Sequence, residues 1–347
     1  MLTNFLYILL ALLLLCVLIV VHEFGHFIVG RLCGIGVVEF AVGFGPKLFH
    51  WRGKETLYSI RAIPLGGFCK FVGEDDENPA PNAMNNMPVW KRFLTVAAGP
   101  AMNLLFAYLV GVVMLCMYYG TVVPQVDTLV EGMPAYEAEL RTGDIVTHVN
   151  GEEVPFDGSG TDLIRRRIQE SDSVELTVLR GGETLEFTLV PAVVTDEATG
   201  QQAKQVGFAF TFQPYSLADA IPTSANLMKD MSTMMLDFLR DLFFKGEGAE
   251  DMAGPIGTVA VVSQTLAVDP SQLLYFAVVI SLNLAIMNLI PFPGLDGSRL
   301  VFLAIEGIRR KPVPPEKEGM IHGVGLVLLL ALAVVLMWHD VMTYIIK

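Results

Sequence analysis

Four stretches of the chain carry too little charge to be solvated. Residues Asn4 to Arg31, Phe93 to Tyr119, Leu273 to Ile290 and Val324 to Ile346 are almost wholly apolar. Each is near the ~20 residues that an α-helix needs to cross about 30 Å of hydrocarbon. They predict four transmembrane helices. The first has no cation before Arg31 and so lacks the basic leader of a secretory signal; it is read as a retained helix.

Between the first and second stretches the period changes. Val37 to Val42 leads into Gly43-Phe44-Gly45-Pro46, Arg52-Gly53-Lys54 reads as a turn, and Thr56 to Ile63 alternates as a strand does. Pro64-Leu65-Gly66-Gly67 interrupts the alternation and Phe68 to Val72 resumes it. This predicts a β-rich element at the membrane, either with an edge able to pair with an extended chain or as a plug of the membrane surface. The tract Glu74 to Asn86, rich in acid, proline and asparagine, predicts a mobile loop.

Residues 121 to 194 alternate short apolar runs with turn signals. A short helix is expected from Met133-Pro134-Ala135 to Leu140 and a strand over Ile145 to Val149, with turns at Thr142-Gly143-Asp144 and Asn150-Gly151. A helix over Thr161 to Glu170 and strands over Ser173 to Arg180 and Thr184 to Val190, joined by Gly181-Gly182, complete the set. This order, from Met133 to Gly151 in particular, resembles a PDZ domain of the permuted bacterial type. It departs from that pattern at Glu139, where glycine is usual, and has no clear glycine-rich carboxylate-binding loop. From Ser216 to Lys245, Met228, Met231, Met235, Phe238 and Leu242 recur at helical spacing opposite Asp230, Asp237 and Asp241. The pattern predicts an amphipathic helix, placed on the outer membrane surface, whose methionine stripe serves packing before any substrate role.

Composition agrees with a membrane protein: of 347 residues, 53% are hydrophobic and 17% charged. The loop after the first stretch carries Arg31, Lys47, Arg52, Lys54, Arg61, Lys70, Lys91 and Arg92, and the loop after the third carries Arg299, Arg309, Arg310, Lys311 and Lys317. The positive-inside rule makes both cytoplasmic and the termini external. Residues 120 to 270 then lie outside, with 24 acidic against 9 basic residues; the net charge of −13 resides there. This acidity argues against nucleic-acid binding. The four cysteines, Cys16, Cys33, Cys69 and Cys116, form no C-x-x-C pair, so no disulfide framework or thiolate metal site is expected.

At the end of the first apolar stretch stands His22-Glu23-Phe24-Gly25-His26. On a helix, histidines four apart share a face and can reach one Zn²⁺, and the glutamate beside them can take a proton from water activated by the metal. By itself the pattern also fits histidines satisfied inside a bundle. An ionisable cluster in lipid is costly, and function is the default reading. Hydrolytic zinc needs a third protein ligand. Asp296 in Asn288-Leu289-Ile290-Pro291-Phe292-Pro293-Gly294-Leu295-Asp296-Gly297 is the candidate, just past a break made by two prolines. Its alternative use is to cap the helix that starts near Ser298.

The two motifs together are similar to those of the site-2 proteases, intramembrane zinc metalloproteases, and nearest to the bacterial branch that includes the regulator of sigma-E protease. Gly43-Phe44-Gly45-Pro46, Pro64-Leu65-Gly66-Gly67, Gly99-Pro100-Ala101-Met102-Asn103 and Gly254-Pro255-Ile256-Gly257 extend the resemblance over nearly the whole chain. It implies one zinc per chain on His22, His26 and Asp296, with Glu23 as catalytic base. It also implies that Asn288 contacts the substrate backbone, with Gly66, Gly67 and Phe68 of the β-loop and Pro291 as further substrate-binding positions. The implied substrates are transmembrane proteins such as pre-cut anti-sigma factors or signal-peptide remnants, cleaved in a bacterial cytoplasmic membrane. The competing classes are a non-catalytic membrane adaptor built around the PDZ-like domain, which has no need of Glu23 and Asp296 together, and a transporter, for which the expected internal repeats are missing.

The expected fold is thus a polytopic α-helical membrane protein of about four transmembrane helices, with a membrane-associated β-rich loop and an inserted extracytoplasmic PDZ-like β-rich domain. The expected division is 1–120 (membrane core), 121–195 (PDZ-like), 196–270 (linker with amphipathic helix) and 271–347 (membrane core with the third ligand).

Overall fold

A computed structural model describes residues 2–74, 78–195, 201–248, 252–311 and 315–344. The chain divides into two compact units, one formed by residues 1–114 and 221–347 and the other by residues 115–220.

The first unit holds the long helices. Four of them, Phe5–Leu32 within α1 (Leu2–Leu32), α2 (Val89–Tyr118), α7 (Gln272–Leu289) and Glu318–Tyr344 within α9 (Pro315–Tyr344), are long and apolar enough to cross a membrane. The tail of the fourth expected span, residues 345–346, lies outside the described residues. A shorter apolar helix, α6 (Pro255–Val268), packs with them. Apolar packing alone gives little drive for association in lipid, so close approach and interhelical hydrogen bonds matter there. Ala11, Leu14 and Leu18 of α1 interlock with Val262 and Leu266 of α6 and Ala277 of α7. The Ser281 hydroxyl of α7 donates to the Asn103 carbonyl of α2 at 2.9 Å. The methionine stripe of α5 (Leu217–Lys245) is packing: Met228, Met231 and Met235 lie against buried Ala107, Val278 and Leu282.

Two long strands, β1 (Val37–Arg52) and β2 (Leu57–Phe71), form the loop between α1 and α2. Each contributes twice to the sheet. Residues 39–42 lie between 67–70 and 57–60, and 57–60 in turn lie beside 49–52. The Pro64–Gly67 tract, expected to end the strand, is carried through it, because Gly67 pairs with Val42 and Gly66 accepts φ +130°. Glu39 ties the ribbons together, accepting from the Ser59 hydroxyl at 2.6 Å and the Arg61 guanidinium at 2.8 Å. Of the tract expected to be a mobile loop, residues 75–77 lie outside the described residues. The remainder is anchored: the Gly36 N–H donates to the Asn82 carbonyl and the Met84 N–H to the Val72 carbonyl. Asparagine and proline served here as turn formers, which composition alone did not separate from disorder.

The second unit is built on a six-stranded sheet. Its order is β10 (Phe208–Pro214), β3 (Gly120–Leu129), β4 (Ile145–Val149), β6 (Val174–Arg180) and β7 (Glu183–Leu189), with β5 (Glu152–Glu153) paired to β4. Strict alternation in β6 puts Val174, Leu176 and Val178 inward. There they meet Val126, Val146 and Val149 of the sheet, Ala135 of the short helix α3 (Pro134–Glu137), and Ile164 and Ile168 of α4 (Gly158–Glu170). Asp157 caps α4, its carboxylate accepting from the Ser159 and Gly160 N–H groups. The unit continues past residue 195: a hairpin of β8 (Ala192–Thr195) and β9 (Gln202–Gln205) follows, and β10 then pairs along β3 from Leu129 to Gly120.

Candidate metal centre

Three side chains from two distant helices meet in the first unit. α1 presents His22 and His26 one turn apart, and both are buried. Asp296 arrives from the start of α8 (Asp296–Arg309). Its position follows from the local sequence. Pro291 and Pro293 lack N–H groups, and Ile290, the residue before the first proline, is extended at ψ 136°, so α7 stops at Leu289. A short connection later, α8 begins with an acid in its first turn, where the helix dipole favours one. The capping position belongs to Leu295, which makes no side-chain cap, so Asp296 is not the helix cap. Salt pairs Arg299–Glu74 and Arg92–Glu306 fasten α8 to the loop after β2 and to α2.

Asp296 Oδ2 lies 3.0 Å from His22 Nε2 and 3.3 Å from His26 Nε2, and the two imidazole nitrogens are 3.1 Å apart. Donors held 2.0–2.2 Å from a tetrahedral zinc ion stand about 3.3–3.6 Å from one another. The cluster is within a few tenths of an ångström of that spacing. Buried carboxylate oxygens are normally hydrogen-bonded, yet Asp296 Oδ2 is buried and makes no hydrogen bond. Two neutral nitrogens and one carboxylate oxygen form a donor set that suits a catalytic zinc with its fourth position open. Among the described residues this is the one group of three or more His, Cys, Asp or Glu side chains placed so that it could hold a metal ion.

The far side of each imidazole is also held. His26 Nδ1 is 2.9 Å from the Thr95 carbonyl, which only accepts, so Nδ1 carries the proton and Nε2 offers its lone pair. His22 Nδ1 faces the Asn103 carboxamide, with the amide nitrogen 3.2 Å away. Between Thr95 and Asn103 lies Gly99, where a Cβ would stand 2.2 Å from His26 Nε2 and 2.9 Å from His22 Cε1. Only a residue without a side chain lets α2 come this near to both rings.

The site opens into a cavity of about 440 Å³. Glu23, Phe68 and Asn288 line it with the three donors, as do His322 and Arg299. The Cys69 backbone N–H faces the Glu23 carboxylate, so the β2 edge touches the glutamate directly. Asn288 commits one donor to its own helix, to the Leu284 carbonyl at 2.9 Å. Gly67 lies beside Glu23, where a Cβ would be 3.5 Å from Glu23 Cγ, and Gly66 lies against the Phe44 ring. Pro291 is exposed in the α7–α8 connection; Gly66, Gly67 and Pro291 are not among the cavity-lining residues. Neither Thr95, which acts through a carbonyl, nor His322 belongs to a recognisable metal motif in the sequence. His322 accepts the Gly294 N–H on Nδ1 at 3.1 Å and so supports the turn that delivers Asp296.

The profile of peptidase family M50 matches residues 10–332. A candidate zinc metalloprotease of Synechocystis sp. is 38% identical over 354 residues, covering 94% of this chain and 92% of its own. One of Nostoc sp. is 35% identical over 350 residues, covering 94% and 93%. The regulator of sigma-W protease RasP of Bacillus subtilis is 28% identical over 411 residues, covering 93% and 95%. The chain belongs to peptidase family M50, the site-2 proteases.

Proposed function

We propose that this protein is a zinc-dependent intramembrane endopeptidase that cleaves transmembrane segments of single-span membrane proteins. The observation that carries the reading is the convergence of His22, His26 and the unbonded Asp296 Oδ2 beside a helix apolar enough to cross a membrane. Zinc bound there supplies Lewis-acid polarisation of the scissile carbonyl and acidifies water near neutral pH. His22, His26 and Asp296 would hold it, and the Thr95 carbonyl orients the His26 imidazole. Glu23, lining the same cavity, takes the proton from the attacking water and delivers it to the leaving amine.

A transmembrane helix hides its peptide bonds in its own hydrogen bonds and must unwind before it can be cut. The 67–70 ribbon borders the site, and an unwound segment adding to it as a strand would present its backbone to Glu23, with Asn288 and Phe68 in the cavity and Pro291 outside it as further contacts. The membrane placement is a bacterial cytoplasmic membrane, with the basic loops inside and the acidic 115–220 unit outside. The PDZ-like domain, residues 121–195, lies within that unit and screens substrates, admitting those shortened by a prior cut. Anti-sigma factors and signal-peptide remnants are the substrate class, the former in keeping with the sigma-W regulator to which the chain is similar.

Glu23→Gln is expected to lower cleavage of a model transmembrane peptide by about 10²–10⁴-fold while zinc stays bound. Cleavage at the wild-type rate would remove Glu23 from the mechanism. The screening role has its own test. Gly120 pairs with Pro214, so excising 121–213 leaves ends that a short linker can join. The shortened enzyme is expected to cut full-length substrates that the parent rejects, and unchanged rejection would count against the screen.

A further inference from the structure

Thr95, Gly99 and Asn103 are spaced four apart on α2 and therefore share one helix face, the face turned to both imidazoles. The first two have the clear uses described above. Asn103 is wholly buried, and its carboxamide oxygen makes no hydrogen bond. Its backbone carbonyl is already used by Ser281, so the α2–α7 link does not depend on its side chain. A buried amide with one unused end, placed at a histidine whose other nitrogen faces Asp296, needs an explanation.

We propose that Asn103 is a positioning residue for the metal centre, its carboxamide oxygen accepting the Nδ1–H of His22. The inference rests on the zinc-site reading above. A neutral imidazole carries one proton, and the nitrogen that ligates a metal is the one without it. With Nε2 aimed at Asp296 and His26, the His22 proton belongs on Nδ1 and requires an acceptor there. Flipping the carboxamide end for end exchanges its oxygen and nitrogen within the same footprint. With oxygen inward, His22 Nδ1–H is satisfied and Nε2 is free to bind. With nitrogen inward, Nδ1 must accept, the proton moves to Nε2, and the ligand is lost. Asn103 thus does for His22, through a side chain, what the Thr95 carbonyl does for His26 through the backbone. Its amide also allows both orientations, so metal binding selects one of them.

The test uses the purified full-length chain in detergent, with zinc affinity measured by competition with a chromophoric chelator and the site reported by the absorption spectrum of the Co²⁺-substituted protein. Asn103→Leu keeps the volume and removes the acceptor; Asn103→Asp keeps an acceptor. Loss of an outer-shell partner typically costs ~10–100-fold in metal affinity, and that loss is expected for Asn103→Leu, with a shifted Co²⁺ spectrum. Asn103→Asp is expected to bind zinc no more weakly than wild type. Equal zinc affinity and an unchanged spectrum in Asn103→Leu would overturn the proposal. If the leucine variant does not fold, Asn103→Asp decides alone, and weaker binding than wild type overturns it. A wild-type protein that binds no zinc would instead defeat the zinc-site reading itself.

Discussion

Two carboxylates in the helical unit, Asp340 and Asp296, each carry buried oxygen, and their surroundings are opposite. Asp340, on the apolar helix α9, is fully buried, and each of its oxygens is used: Oδ1 accepts the Gly254 N–H at 3.0 Å and Oδ2 the Gly257 N–H at 2.8 Å. It closes the N-terminus of α6, where helix N–H groups have no partners of their own. Gly254 and Gly257 leave it room, since a Cβ at either would stand 2.5–2.7 Å from a carboxylate oxygen. Asp296 has instead a buried oxygen with no hydrogen bond and two imidazole nitrogens within 3.3 Å. One acid is spent on the fold; the other leaves an oxygen open for the proposed metal. Asp340 is fully buried and the Asp296 side chain is 20% exposed, but the sharper difference is in the hydrogen bonds that their buried oxygens make.

Substitution should separate the two roles, beginning with the largest effect. Asp296→Ala is expected to abolish peptide cleavage, yet the thermal midpoint of the chelator-treated protein should stay level or rise, because an unsatisfied buried oxygen has been removed. A fall in that midpoint comparable to that of an Asp340 variant would erase the distinction. Asp340→Leu is expected to destabilise by roughly 2–5 kcal/mol, because two buried N–H groups lose a charged acceptor. Zinc binding in the protein that remains folded should be unchanged, as checked by metal content after size exclusion.

A third buried acid, in the other unit, sharpens the comparison. Asp144 accepts two guanidinium bonds from Arg180, both at 2.6 Å, and the Arg141 N–H at 2.8 Å. Arg180 also donates to the carbonyl of Glu139, held at φ +61° where glycine is usual. Burial pushes the Asp144 carboxyl up, but the Arg180 and Arg141 contacts outweigh it and hold it below the ordinary carboxylate range. The folded unit therefore prefers the ionised form. Its stabilising contribution is complete above the unfolded pKa of about 4 and is lost as pH falls through the lower folded value. Arg180→Met is expected to cost about 3 kcal/mol, the lower end for breaking one side of a buried pair. It should also flatten the acid limb of the unfolding curve below pH 4; an acid limb identical to wild type would mean that the pair carries no linkage. Zinc content should be the same as in wild type.

The legible part of the site was the local part. His22, Glu23 and His26 fall on one turn of one helix, so spacing suffices to bring them together. Asp296 lies near the other end of the chain, and what marks it is the proline break that ends α7 and starts α8 beside α1. The remaining shell was not readable. Thr95 contributes a carbonyl, which every residue has, and His322 is one of two histidines on α9 with no motif around it. The Gly-Pro-Ile-Gly run at 254–257 stood out, but its partner Asp340 sits on the last helix, two helices beyond α7, so its purpose was not readable either. In the fold, β6, β7 and the end of α4 were visible because alternation is local; α4 itself starts three residues before the expected Thr161, at Gly158 behind the Asp157 cap. The return of β10 to β3 was not, since pairing between segments so far apart leaves no mark on the intervening chain.

The central claim is that Asp296 is held for a metal and Asp340 is not. The direct measurement is zinc content and affinity of purified wild type, Asp296→Ala and Asp340→Asn under identical conditions. About one zinc per chain is expected in wild type and in Asp340→Asn, with Asp296→Ala weakened by more than the ~10–100-fold that an outer-shell loss costs. Full zinc occupancy at wild-type affinity in Asp296→Ala would contradict the account.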